Sequence, residues 1–308
     1  GDYTSFEGTV ANELTARGVA VLGIDQPLHG TRNPTENEDD FDLIVRLAVS
    51  NIVIGRDMLR QHIVDLCHAT RMLRAGITIP ASVTATGVEI HTSPDRLAFM
   101  GHSQGAQVGA LFLGVEPDIH TGMLSEVAGG SAIALLERKE DDIDIEAVVG
   151  TALGLAGSNE TLVEYHPAIG AVVQQMLGPA DPLEYARGVF LDPPGETAHS
   201  VLMTEGTLDT QTPPRGIEAL ATAMGLPVAL PIVSEIDTMA LVGIPSVSLP
   251  VTQNLPSRDV ARSTGALLQF SGRNHFLVFR DPGAQYQVFE FLRTALDGQA
   301  VIYPAEDK

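Results

Sequence analysis

The chain has 308 residues, of which 39 are acidic and 18 basic, for a formal net charge of −21. That surplus argues against nucleic acid and against docking on anionic lipid, because both need clustered Lys and Arg. A hydrophobic fraction of 44% with 19% charged residues describes a globular core, and the single cysteine, Cys67, excludes an internal disulfide.

Residues 4–17 read as an amphipathic helix with Phe6, Val10 and Leu14 on one stripe, ended by Gly18. Residues 19–24 are almost continuously apolar, as a parallel strand buried on both faces would be. The turn Gln26-Pro27-Leu28-His29-Gly30 and an acidic loop over 36–42 follow. A long helical pattern from 41 to 74 comes next, with a break expected near Gly55 and with Cys67 as a buried thiol on its apolar side.

After the breaker Ser93-Pro94-Asp95, residues 96–100 predict a short strand, and 106–113 predict a helix. Between them stands Gly101-His102-Ser103-Gln104-Gly105. A Gly-x-Ser-x-Gly sequence at a strand-to-helix turn is a nucleophile elbow: it lifts the serine oxygen off the sheet and aims the helix N-terminus at it, in a turn too tight for flanking side chains. A further strand is expected over 123–128. Residues 131–198 offer helix-like stretches at 133–140, 145–155 and 167–177 but no strand. Strand character returns at 199–204 and 266–270, with an irregular region carrying five prolines over 226–265 between them. Strands alternating with helices at this spacing imply a parallel sheet covered on both faces.

An elbow serine needs a histidine to take its proton and a carboxylate to orient that histidine. Nine histidines are present, and His275, in Asn274-His275-Phe276 after the 266–270 strand, is the one beyond residue 199. The acid falls in Glu205-Gly206-Thr207-Leu208-Asp209, with Asp209 the first choice and Glu205 or Asp237 as alternatives. Both loops follow the carboxyl ends of strands, where open α/β sheets place their sites. Other readings of these residues are plain. Ser103 is also a good helix N-cap, His102 is an elbow neighbour packed beneath the serine, and His29 is a structural or pocket-lining residue. The histidines show no paired ligand spacing, so no metal and no organic cofactor is expected.

Taken together, the 24–30 turn, the elbow at Ser103, the Gly206-x-x-Asp209 loop and the Asn274-His275-Phe276 loop resemble the α/β-hydrolase superfamily in its esterase and lipase branch. The resemblance covers residues 19–298 and implies Ser103 as nucleophile, Asp209 as acid and His275 as base. It implies a core in two parts, 1–130 and 199–308, with 131–198 as a helical cap or lid; the apolar stretches there read either as a lid over an acyl pocket or as a cap core burying its own faces. The expected activity is hydrolysis of a small-molecule ester or lipid; an acyltransferase, a serine peptidase or a non-catalytic binding module of the same fold are the alternatives. The Gln104 backbone N–H would supply one oxyanion donor, and the second would lie near Gly1 or upstream. In that family several strands precede the first helix. The resemblance therefore predicts that the first strands of the fold are absent from these 308 residues and come from an upstream segment, a cleaved chain or a partner subunit.

Overall fold

The computed structural model describes residues 7–35, 37–139, 145–158, 161–195, 198–256 and 263–305. A π-turn over Glu7–Ala11 leads into helix α1 (Asn12–Ala16), which stops at Gly18 with φ +78°; the predicted start of this helix at residues 4–6 lies outside the described residues.

Residues 19–24 are not a strand. Main-chain ladder bonds make a strand, and no described strand runs beside this segment, so an apolar run alone leaves it irregular, with Val21 46% and Leu22 50% exposed. The turn that follows is tied by Asp25, whose buried carboxylate accepts from the Thr31 N–H (2.9 Å) and hydroxyl (2.7 Å).

Helices α2 (Asp40–Ser50) and α3 (Ile52–Arg74) meet at Asn51, four residues before the expected break. Asn51 adopts φ −158°, ψ 102° and caps α3 by accepting the Val53 N–H at 3.0 Å. Gly55 continues the helix. A two-stranded hairpin, β1 (Thr78–Ile79) with β2 (Ile90–His91), precedes the main sheet.

That sheet comprises β3 (Phe99–His102), β4 (Thr121–Ser125), β5 (Ser200–Gly206) and β6 (Gly265–Phe270), parallel throughout and in the order β3-β4-β5-β6. The expected strand at 123–128 is real but begins and ends earlier. Alternation sorts the side chains by face, and both faces are covered. Leu124, Val201, Met203 and Leu267 join a core with α3, α4 (Gln104–Leu113), α8 (Pro182–Phe190) and α9 (Pro214–Met224). Met123, Leu202, Ala266 and Leu268 pack against α1 and α12 (Pro282–Leu296). Strand β3 forms one edge of this sheet.

Between β4 and β5 run α5 (Ser131–Glu137), α6 (Ile145–Ala152), a π-turn at Ile169–Gln174 continuing into α7 (Gln175–Leu177), and α8. Ala132, Leu162, Ile169 and Val173 form a small core of their own, apart from the two sheet cores. Arg215 of α9 reaches this region with ion pairs to Glu137 (3.0 Å) and Glu164 (2.9 Å). Helix α8 instead packs on α4 and α9 in the main core.

The fully buried Asp181 ties the two together. Its carboxylate accepts from the N–H groups of Gly130, Ser131 and Leu183, the Ser131 hydroxyl and the Gln174 amide, at 2.5–2.9 Å. Asp181→Ala would strand five donors, and a loss of about 3 kcal/mol in unfolding free energy is expected, readable by urea denaturation.

The proline-rich stretch is ordered along the far edge of the sheet. Val228 bridges Leu267 of β6 and Ala229 bridges Val247, and helix α10 (Asp237–Val242) lies within it; residues 257–262 are outside the described set. Helix α11 (Leu277–Arg280) leads into α12.

Candidate active site

Ser103 occupies the single position between the end of β3 and the start of α4, with φ +54° and ψ −124°. A side chain in this region of backbone space is strained by about 1–3 kcal/mol. The surroundings hold it there: the Ser103 N–H extends the β3–β4 ladder onto the Ser125 carbonyl (2.9 Å), and its own carbonyl accepts the Gln107 N–H (2.9 Å).

Of the two flanking glycines only one is forced by space. A Cβ on Gly101 would lie 2.6 Å from the Gly105 carbonyl oxygen, whereas a Cβ on Gly105 would meet the Gln26 amide at an ordinary 3.7 Å. The expectation that tightness demands both is corrected accordingly. Ser103 is not a capping residue, since its side chain makes no cap hydrogen bond. Its hydroxyl has no hydrogen-bond partner among the described residues and is partly exposed, while the Gln104 N–H opens the first turn of α4, with no intrahelical acceptor.

Asp209 and His275 come from the loops after β5 and β6, and the two loops interlock. The Leu208 N–H donates to the Arg273 carbonyl (2.8 Å), and a Cβ on Gly206 would sit 2.7 and 2.9 Å from the carbonyl oxygens of Arg273 and Asn274. Glycine is therefore required where the loops touch. Both side chains are buried, and His275 Nδ1 lies 2.7 Å from one Asp209 oxygen. The other oxygen accepts the N–H groups of Gln211 (2.8 Å) and Thr212 (2.9 Å).

Burial opposes ionisation of Asp209, but the His275 hydrogen bond and charge, the Thr212 N–H and a contact from Glu126 outweigh it and hold the carboxyl below its ordinary value. An ionised Asp209 only accepts, so the His275 proton sits on Nδ1 and the Nε2 lone pair is left free. Ser103, Asp209 and His275 thus follow the parallel strands β3, β5 and β6 in the chain order Ser–Asp–His. The core is an α/β fold, a parallel sheet with helices on both faces, and the three residues stand where the resemblance to α/β-hydrolases implies.

No protein-family model matches the chain, and no curated protein matches it in sequence. Among solved structures it is similar to acetyl xylan esterase 1 from Thermoanaerobacterium sp., at 13% identity over 96% of this chain and 70% of that one, with a TM-score of 0.49. It is also similar to an esterase from Thermogutta terrifontis, at 14% identity over 76% of this chain and 64% of that one, with a TM-score of 0.35. An acylaminoacyl peptidase from Pyrococcus horikoshii aligns at 8% identity and a TM-score of 0.39, over 68% of this chain. The chain spans about a quarter of that peptidase's length.

His102 is the neighbour of the elbow that the sequence suggests. Its ring lies 4.7 Å from the His275 ring and edge-on to Phe279, and its Nδ1 is 3.1 Å from the Ser125 hydroxyl. Burial, and then the charge on His275, push its pKa down to about 3, so it is neutral across the working range. On the other side of the elbow the Gln104 amide donates to Gln26 at 2.7 Å, which fastens the 24–30 turn to α4. His29 closes that turn through the Pro27 carbonyl (3.0 Å), a structural role. The candidate second oxyanion donor at Gly1 lies outside the described residues. Among those described, no group of three or more His, Cys, Asp or Glu is arranged to hold a metal ion.

Neither alternative acid is bonded to His275. Asp237 starts α10 in an exposed position. Glu205, fully buried on β5, contacts the Gln269 amide at 3.3–3.5 Å. Burial and then the charge of Glu218 raise its pKa to about 7. The folded chain therefore keeps this proton over a range where the unfolded chain loses it, and stability falls as pH rises from about 4.5 to about 7. The expected contribution is about 3 kcal/mol. Glu205→Gln should raise the melting temperature at pH 8 and leave it unchanged at pH 4, which calorimetry at the two pH values checks.

One functional candidate escaped the sequence reading. Glu126, directly after β4, is fully buried, has φ +52°, and its carboxyl accepts the N–H of Gly206 (3.0 Å), whose own carbonyl accepts the Asp209 N–H (2.9 Å). The available signal was a single charged residue inside the otherwise uncharged, mostly apolar run Met123-Leu124-Ser125-Glu126-Val127-Ala128.

Proposed function

We propose that the protein is a serine hydrolase of carboxylic esters, of the esterase or lipase type, acting on acyl or aliphatic esters. The observation that carries this reading is the buried 2.7 Å Asp209–His275 pair, in which the imidazole turns Nδ1 to the acid, together with a serine held in a strained elbow.

Ser103 Oγ attacks the ester carbonyl carbon as its proton passes to His275 Nε2, and Asp209 stabilises the resulting imidazolium. The Gln104 N–H donates to the oxyanion, an interaction typically worth about 3 kcal/mol of barrier. Collapse of the tetrahedral intermediate breaks the ester C–O bond, and the alcohol leaves with the proton from His275. Water, deprotonated by the same Nε2, then attacks the acyl-serine, and its collapse releases the acid and returns the proton to Ser103. No cofactor is needed for any of these steps.

The apolar stretches between β4 and β5 support a cap over an acyl pocket, and on this reading esters of longer acyl chains are turned over better than acetates. The deciding experiment is treatment with a fluorophosphonate probe followed by intact mass spectrometry, with Ser103→Ala as control. One adduct, absent in the variant, supports the reading; an unmodified wild-type chain under conditions that label a known serine hydrolase overturns it.

A further inference from the structure

We propose that Glu126 is a positioning residue whose neutral carboxyl donates a hydrogen bond to Asp209 and so fixes the carboxylate that orients His275. The inference rests on the serine-hydrolase reading and deepens it.

The buried Glu126 carboxyl accepts the Gly206 N–H (3.0 Å), and the Gly206 carbonyl accepts the N–H of the equally buried Asp209 (2.9 Å), so two buried acids share one turn. Neither belongs to any ion pair with Lys or Arg among the described residues. Two neighbouring buried carboxylates with a neutral imidazole and no Lys or Arg beside them do not both ionise, so the pair holds one proton. Geometry assigns that proton. Asp209 receives two backbone N–H groups and the His275 Nδ1–H, all of which favour a charged acceptor. Glu126 receives one backbone N–H, from Gly206 at 3.0 Å, and one hydroxyl contact, from Thr204 at 3.2 Å. Asp209 is therefore the better-solvated anion and Glu126 the acid. Burial first, and then the Asp209 charge, raise the Glu126 pKa well above the ordinary value.

The same contacts explain why the group is so placed. Positive φ at Glu126 turns the chain out of β4, while its N–H still reaches the Thr204 carbonyl (3.3 Å). The Ser125 hydroxyl beside it touches both His102 (3.1 Å) and Thr204 (3.1 Å). Glu126 thus lies in a polar seam beneath the elbow that runs from His102 through Ser125 and Thr204 to Asp209 and His275. The titratable groups facing it are Asp209 from the β5 loop, His275 from the β6 loop and His102 from β3. Of these His102 is neutral and His275 acts through Asp209.

The test uses Glu126→Gln, which keeps the shape and a donor, and Glu126→Leu, which keeps neither. Three quantities are read: the pH dependence of fluorophosphonate labelling at Ser103, kcat and KM on a chromogenic ester, and the carboxyl ¹³C shift of Glu126 in the wild-type protein from pH 5 to 8. The expected result is a protonated Glu126 at pH 7. Glu126→Gln should retain labelling within about threefold of wild type with an unchanged acid limb. Glu126→Leu should lose about ten- to a hundredfold in kcat with KM little altered.

An ionised Glu126 at pH 7, a shifted acid limb in Glu126→Gln, or full activity in Glu126→Leu overturns the proposal. Should the leucine variant fail to fold, the carboxyl shift and the glutamine variant still decide. A wild-type protein that takes no label overturns the hydrolase reading and the positioning role with it. A labelled wild type with an ionised Glu126 overturns this proposal alone.

Discussion

Ser103→Ala is expected to lower kcat/KM for ester hydrolysis by about five to six orders of magnitude and to abolish fluorophosphonate labelling. The size follows from the covalent step: without Oγ there is no acyl-enzyme, and Asp209 and His275 have no nucleophile to activate. Stability should respond differently. The strain at φ +54°, ψ −124° belongs to any residue with a Cβ, so alanine inherits it. Glycine does not, although it adds freedom to the unfolded chain. Ser103→Gly should therefore be equally inactive yet about 1 kcal/mol more stable than Ser103→Ala, by chemical denaturation. Inactivity coupled to greater stability would mark a backbone strained for the sake of the side chain it presents. Retained labelling in either variant would place the nucleophile elsewhere.

The sequence made the Ser103 elbow and the paired Asp209 and His275 legible because each sits at a junction between an apolar strand and a loop of breakers. Local chemistry specifies such junctions: Gly101 before Ser103, the Gly206-x-x-Asp209 turn, and Asn274 before His275. The same logic failed at residues 19–24. Apolar character was present there, but strand formation depends on a neighbour, which composition cannot reveal; among the described strands β3 is the edge, and nothing pairs beside it. The interruption between α2 and α3 was misplaced for a related reason. Glycine lowers helix propensity in isolation, yet Gly55 packs its Cα side against Ala48, whose Cβ a Gly55 Cβ would approach to 3.1 Å. Asn51, a weaker-looking breaker, ends α2 because its side chain can cap the next helix. Glu126 was missed because its role exists only once β4 and β5 lie side by side.

Asp209→Asn is the sharper probe of how the site is oriented, and the contacts of Asp209 dictate the outcome. The N–H groups of Gln211 and Thr212 converge on one carboxylate oxygen, so an asparagine must place its carbonyl oxygen there. Its NH2 group then faces His275 Nδ1, at the position of the oxygen now 2.7 Å away. Nδ1 has to accept, the ring proton moves to Nε2, and His275 presents a donor where the serine proton must be received. A fall of about three to four orders of magnitude in kcat is expected, with KM little changed. Fluorophosphonate labelling should slow by a similar factor, since it needs the same proton transfer. The fold should persist, because an amide of the same shape keeps both backbone contacts. Stability against acid should change in a defined direction. The Asp209 pKa is lowered in the folded state, so its contribution is fully present above about pH 4 and is lost as pH falls through the folded value. The asparagine variant lacks that term, so its melting temperature should fall less steeply below pH 4 than that of the wild type. Wild-type kcat in Asp209→Asn would show that another group orients His275. With Glu205 and Asp237 both unbonded to the ring, Glu126 would be the carboxyl left in reach of the site.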